Sequence, residues 1–418
     1  MHIELLTAGI SDCACGKQHT CPIDHVVIDR NAAESFASLC APYQRILLVS
    51  DENTWEIWGK EIFAVIESKI EKNLILAANG DVVIPNEEKI AEIEAVMTDA
   101  TDLVIGVGSG VINDLCKITS FRRDLPYFIA ATAPSMDGYA SNGSALILEG
   151  MKITLNARPP KAIVADVDVL KNAPMQMLRA GYGDIMGKYS CLNDWKLSAL
   201  LFDEYLCQTV YDITYDAVKN LERLADGIAS RDADAVKALM EALVIVGITM
   251  AYVGNSRPAS GSEHHLSHFF EITGILENKP YLMHGIDVAY SSVVTASLRE
   301  KIISSKPHAW TFDRAAWESE IKRIYGTAAD GVIALQNKLG WYERDEYSVI
   351  CEKWDAVTAL LKEAPTSSQT RAIMEKVGLD FSEFESLYGE KKIADAVLYA
   401  KDLKDRYSVL WLWDKYFA

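Results

Sequence analysis

The chain has 418 residues, half of them apolar and 24% charged, the composition of a folded globular protein rather than a disordered or fibrous one. Its 59 Asp and Glu outnumber 41 Lys and Arg, a formal net charge of −18. That balance excludes nucleic acid as the expected partner and disfavours docking on an anionic membrane, since both need clustered Lys and Arg. A small anionic substrate stays open, because a local site can be positive in an acidic protein. The length is enough for two domains, each with its own core.

The first nine residues carry no basic region and no apolar stretch with a small-residue cleavage site, so they do not read as a signal peptide. The longest uncharged apolar run, at residues 243–253, is shorter than a spanning helix requires, and no membrane insertion is expected. Most of the eight cysteines sit in apolar segments and read as reduced core residues, which points to the cytoplasm. Cys13, Cys15, His19 and Cys21 fall within nine residues. They offer soft metal ligands at a spacing tighter than common zinc motifs, or else form a surface turn.

In chain order, residues 45–50 predict a buried strand, 54–71 a helix, 74–78 a strand and 86–98 a helix with an acidic first turn. Residues 102–106 predict a strand that runs into a glycine cluster, 110–121 a helix, 126–132 a strand and 162–165 a last strand. This alternation indicates βαβ units and a mostly parallel sheet. Beyond Asp166 strand signals nearly vanish. Amphipathic patterns at 175–192, 202–224, 232–253, 284–301, 315–325 and 391–417 predict an all-helical second half. The expected organisation is an α/β nucleotide-binding domain at 1–165 and an all-α metal- and substrate-binding domain at 166–418.

Gly106-Val-Gly108-Ser-Gly110-Val111-Ile112-Asn113-Asp114 joins a predicted strand to a predicted helix. Such a turn lets backbone approach a phosphate and aims helix N–H groups at it; glycine is also used there for packing. The spacing is not the G-x-G-x-x-G fingerprint. Asp51 ends the strand upstream, where it can hold a ribose or cap the next helix. The loop from Thr132 through Ser135, Asp137 and Ser141 to Gly143 follows another strand end, a place for a ligand or a plain connection.

Three of eight histidines, His264, His265 and His268, share one predicted helix, and His284 begins the next. Asp184 lies in Gly181-Tyr-Gly183-Asp184-Ile-Met-Gly187-Lys188, where glycines within a helical pattern imply close approach by a neighbour or ligand. One Asp with two His makes a three-ligand set with an open position, suited to catalysis. His264 and His268 share a face at i, i+4; His265 and His268 are i, i+3.

Together these motifs, with Arg257-Pro-Ala-Ser-Gly-Ser-Glu-His264 and Met283-His284-Gly, resemble the sn-glycerol-1-phosphate dehydrogenase family (bacterial type). That family lies within the iron-type alcohol dehydrogenase and glycerol dehydrogenase superfamily, whose two-domain plan 3-dehydroquinate synthase shares. The resemblance runs from about residue 20 to 300. It implies reduction of dihydroxyacetone phosphate to sn-glycerol 1-phosphate with NADH or NADPH and one divalent ion, zinc or nickel. Carried over by motif, Asp184, His264 and His284 bind the metal, with His265 the ligand if the register shifts by one. Asp51, Gly110 to Asp114, Thr132, Ser135 and Ser141 contact the dinucleotide. Asp137, Asp184 and His268 face the substrate, with Asp184 and His268 catalytic. The resemblance also implies a homodimer. Two rivals are a glycerol or other polyol dehydrogenase and a dehydroquinate synthase-like lyase, which would need Glu as first ligand. A third is a non-enzymatic binder. Arg257, Lys188 and Lys152 lie near motif residues, and the substrate phosphate is assigned to none of them.

Overall fold

A computed structural model describes residues 3–78, 82–149 and 151–418. Met1 and His2, the first two of the nine residues read above for a signal peptide, lie outside the described residues. The chain forms two compact units: Met1–Tyr182 with Arg223–Asn255, and Gly183–Glu222 with Ser256–Ala418.

The first unit is built on a parallel six-stranded sheet. Its strands are β1 (His25–Asp29), β2 (Ile46–Asp51), β3 (Ile70–Leu76), β4 (Leu103–Gly108), β5 (Tyr127–Ala131) and β8 (Ala162–Asp166), in the order β1-β8-β5-β4-β2-β3. A separate antiparallel hairpin pairs β6 (Gly143–Leu148) with β7 (Met151–Asn156). Strands β2, β4, β5 and β8 are wholly or almost wholly buried, which is why they read as continuous apolar runs rather than alternating ones. One sheet face, from Ile46, Leu48, Ile105, Val107, Phe128 and Val164, packs on Phe36, Trp58, Ile62 and Ile66.

The chain steps from β2 to β3 on one side of it and then crosses back to β4 on the other. This is the topological switch point, where parallel sheets open a crevice at their carboxyl ends. Asp51 ends β2, Gly108 ends β4, and Thr132 follows the last residue of β5. The chain order of the strands therefore brings the expected nucleotide residues to one end of the sheet.

The unit holding the sheet does not stop at residue 165. It runs on to Tyr182 and takes in Arg223–Asn255, because the helix Ala233–Val253 packs against the segment Asp137–Ala140 and β1. A Cβ on Gly247 would lie 2.5 Å from that of Ala140, so the contact demands glycine. This helix is 21 residues, beginning ten residues before the apolar run at 243–253, and by length and composition alone it is long enough to cross a membrane. In the structure most of it is buried.

The second unit contains no strand among its described residues. Its long helices are Lys188–Phe202, Gln208–Glu222, Ser262–Glu277, His284–Ile303, Arg314–Tyr325 and Phe381–Tyr399. Several boundaries differ from those expected. The segment 175–192 is two helices, divided at Gly187. The helix at 202–224 starts only at Gln208, because Asp203 turns left-handed (φ 52°) and ends the preceding helix. The segment 391–417 is not one helix: Phe381–Tyr399 gives way to a 3-10 turn, and Val409–Tyr416 stands apart. In the first unit β3 begins at Ile70 rather than 74, and the helical segment before it ends at Lys69.

Gly108 is held by packing: a Cβ there would lie 2.5 and 2.6 Å from Ile112 Cγ1 and Cβ. Gly108→Ala should therefore destabilise the protein by about 1–3 kcal/mol, the usual cost of overpacking. Thermal or urea unfolding measures this, and an unchanged midpoint would show that the turn can relax.

Candidate active site

At the carboxyl end of the sheet, Ser109 caps the helix Gly110–Arg122 in extended conformation, without a side-chain cap. The first amide to bond inside the helix is that of Asn113, donating to Ser109 O at 2.9 Å. The N–H groups of Gly110, Val111 and Ile112 thus belong to the open helix end, where an anion is favoured. Asn113 and Asp114 turn toward the protein. Asp114 Oδ2 accepts from Ala145 N–H (3.1 Å) and Oδ1 from Asn113 Nδ2 (3.0 Å), tying the helix to β6. Burial raises the Asp114 pKa, against the pull of Lys117. Asp51 Oδ1 accepts from Thr54 N–H (2.7 Å) in a capping box, so it does act as a helix cap.

Lys117, which the sequence did not single out, organises the Thr132–Gly143 loop. It is fully buried, and Nζ donates to Gly138 O (2.8 Å) and Gly143 O (3.0 Å). Burial lowers its pKa, opposed by Asp114 and by the charge of Asp137. Ser141 Oγ donates to Gly138 O at 3.0 Å, and Tyr139 OH to Ala133 O at 2.6 Å. Thr132 N–H bonds Gly108 O at 3.1 Å, joining this loop to the glycine turn. Thr132 and Ser135 are buried and Asp137 is partly exposed.

In the second unit the donor atoms of Asp184, His264 and His284 all lie within 4.8 Å of one another. Glycines create this meeting. A Cβ on Gly183 would sit 2.5 Å from Gly285 O and 2.7 Å from Ala289 Cβ, and one on Gly187 2.6 Å from Val288 Cγ1. The Asp184 segment thus lies directly on the helix that His284 opens. Gly261 does the same for the His264 helix: its Cβ would fall 2.6 Å from Cys191 Cα and from Asp194 Oδ2. Asp194 then accepts Ser262 N–H at 2.7 Å, a carboxylate at a helix N-terminus.

Asp184 is fully buried, yet it is held ionised: burial pushes its pKa up, and Lys188, His264 and His284 together outweigh that and lower it. Lys188 Nζ lies 2.6 Å from Asp184 Oδ1, and His264 Nε2 lies 3.5 Å from the same oxygen. His264 Nδ1 meets Glu263 Oε1 at 2.6 Å, so Nδ1–H is donated there and Nε2 faces Asp184. A ligand histidine whose other nitrogen is held by a carboxylate is the usual support of a metal site. Two imidazoles and one carboxylate match zinc, nickel or iron(II) by donor chemistry. His268 is half-buried beside the set, its ring 5.6 Å from that of His284 and 6.3 Å from that of His264.

His265 is outside the converging set. Both its ring nitrogens are buried without a hydrogen-bond partner. Burial, followed by the charges of Arg406, Lys404 and Arg257, pushes its pKa well below the usual value. Of the three cations near motif residues, Lys188 is spent on Asp184. Arg257 is spent on Glu204, with Nε to Oε1 at 2.6 Å, and on Tyr407 O at 2.8 Å.

A parallel α/β unit with a glycine turn at its switch point, together with an Asp-His-His set on helices, defines a metal-dependent dehydrogenase class. Residues 27–174 match the family model for iron-containing alcohol dehydrogenase. The glycerol dehydrogenase of Schizosaccharomyces pombe superposes with a TM-score of 0.56 at 18% identity, covering 88% of this chain and 92% of that one, a likeness of fold. Glycerol-1-phosphate dehydrogenase (NAD(P)+) of Bacillus licheniformis is 32% identical over 87% of this chain and 90% of its own length. That of Bacillus subtilis is 34% identical over 67% of this chain and 72% of its own. The chain belongs to the glycerol-1-phosphate dehydrogenase family.

Two substitutions probe the metal-binding geometry. Glu263→Gln should weaken metal affinity by about 10–100-fold, the typical cost of losing a support for a ligand histidine; metal titration would read it. Gly183→Ala should lower both the unfolding midpoint and the metal content. Normal metal occupancy in that variant would show that the helices can part without disturbing Asp184.

Proposed function

We propose that this chain reduces dihydroxyacetone phosphate reversibly to sn-glycerol 1-phosphate, using NADH or NADPH and one divalent metal ion, zinc or nickel. The observation that carries this reading is the convergence of Asp184, His264 and His284 in a member of this dehydrogenase family. Those three side chains would hold the metal. Asp51, Gly110, Val111, Ile112, Asn113, Asp114, Thr132, Ser135 and Ser141 would hold the dinucleotide. A carboxylate at Asp51 would repel a ribose 2′-phosphate and so favours NADH.

When bound, the metal ion supplies Lewis-acid polarisation of the ketone and the nicotinamide supplies hydride. The remaining work falls to the chain. Lys188 keeps Asp184 charged in a fully buried position. Glu263 fixes the tautomer of His264. His268 would pass the proton to the product oxygen, directly or through water, as a half-buried imidazole that stands beside both ligand rings. Asp137 faces the substrate from the loop organised by Lys117. In this reading the enzyme is a cytoplasmic homodimer, takes a small phosphorylated substrate, and serves phospholipid metabolism.

NADH consumption by metal-reconstituted protein should be much faster with dihydroxyacetone phosphate than with dihydroxyacetone, and the product should be the sn-1 isomer. Equal turnover of the unphosphorylated ketone would make the chain a glycerol dehydrogenase, and no turnover of either would reopen the lyase reading. Asp184→Ala and His264→Ala should each abolish activity and metal retention, whereas His265→Ala should keep its metal.

A further inference from the structure

The N-terminal segment carries a second set of ligands that the dehydrogenase reading leaves unused. Ile10 and His19 pair as an antiparallel bridge, with Ile10 N–H to His19 O at 2.8 Å and His19 N–H to Ile10 O at 2.9 Å. Gly9, at φ +81°, permits that closure: a Cβ there would lie 2.6 Å from His19 O. Within the closed loop, Gly16 at φ +80° donates its N–H to Cys13 O at 2.9 Å, forming a turn around Cys15.

This folding brings Cys13 Sγ, Cys15 Sγ and a ring nitrogen of His19 within 4.8 Å of one another. Cys15 Sγ is 3.3 Å from His19 Nε2. His19 is buried and fixed from behind, with Nδ1 2.9 Å from Tyr252 O and its ring 5.4 Å from that of Tyr252. A carbonyl only accepts, so Nδ1 carries the hydrogen and Nε2 presents its lone pair to the two sulfurs. Orientation of a ligand histidine by a backbone carbonyl is a recurring support for bound metal. Both cysteines are partly exposed, which gives an ion a way in. Cys21, grouped with these residues by sequence, is not part of the converging set.

We propose that Cys13, Cys15 and His19 bind a structural metal ion, zinc by donor chemistry, as a site separate from Asp184, His264 and His284. Thiolate and imidazole donors select zinc over magnesium or calcium, and the fourth tetrahedral position is left for a further donor. Binding replaces the two thiol protons with bonds to the metal and involves no change of oxidation state.

Metal analysis of the full-length protein purified from zinc-supplemented cells should give two ions per chain. His284→Ala should keep one of them, and the double variant Cys13→Ser, Cys15→Ser should keep the other along with ketone-reductase activity. Cobalt substitution supplies a readout that does not depend on the cysteine variants folding. Cobalt-loaded His284→Ala protein should show near-ultraviolet thiolate-to-cobalt absorption, which an Asp-His-His site cannot produce. Absence of that band overturns the proposal, as does zinc content unchanged by the double cysteine substitution. A Cys13–Cys15 disulfide in protein isolated under reducing conditions would overturn it as well. None of these outcomes depends on which substrate the enzyme reduces.

Discussion

The close approach of helix backbones at Gly183 and Gly187 is the constraint on which the metal-binding geometry depends. Without those two absent side chains the Asp184 segment could not lie on Gly285 and Val288, and the carboxylate would not reach the two histidines. The same contact removes Asp184 from water. A buried carboxylate is costly unless its charge is met, and here Lys188, one turn on, meets it. A buried ion pair is a weak source of stability, because desolvation offsets most of the attraction. What it secures is a carboxylate that stays ionised in a dry position, ready for a cation.

The first unit solves a different problem with similar means. Gly106 and Gly108 let the helix Gly110–Arg122 lie close to β4, with Cys116 and Ile112 in the space that side chains would take. Lys117 on the same helix then reaches the carbonyls of Gly138 and Gly143 and gives the loop after β5 its shape. The glycine turn and the hydroxyl-rich loop are therefore coupled through one buried amine.

Much of this was legible in the sequence, for reasons that can be named. Strands buried on both faces wrote themselves as continuous apolar runs, as in Ile46–Asp51 and Leu103–Gly108. The Asp184, His264 and His284 set stood out because histidine is rare in this chain. Other elements left weaker marks. The edge strand His25–Asp29 is short and only partly buried, and the hairpin β6–β7 stands outside the main sheet. Gly187 divides helices whose apolar pattern runs on through it, and the turn after Tyr399 does the same near the C-terminus, so periodicity alone joined the pieces. Lys117 was invisible because a lysine between apolar residues reads as the solvated face of a helix, and only tertiary structure shows its partners. Composition changes near Asp166, whereas the first compact unit runs on: an apolar helix from far along the chain completes the sheet's surroundings.

That discontinuity bears on how the protein is made. The first unit needs residues up to Asn255, with the second unit's Gly183–Glu222 interposed. As the chain leaves the ribosome, the strands can pair once Asp166 is out, but the surface meant for Ala233–Val253 stays bare until some ninety more residues follow. The helix itself is, by length and composition alone, apolar enough to cross a membrane, and it too is uncovered as it emerges. Synthesis from the N-terminus thus cannot finish one unit before starting the next, and the nascent chain must carry an uncovered apolar face through that interval.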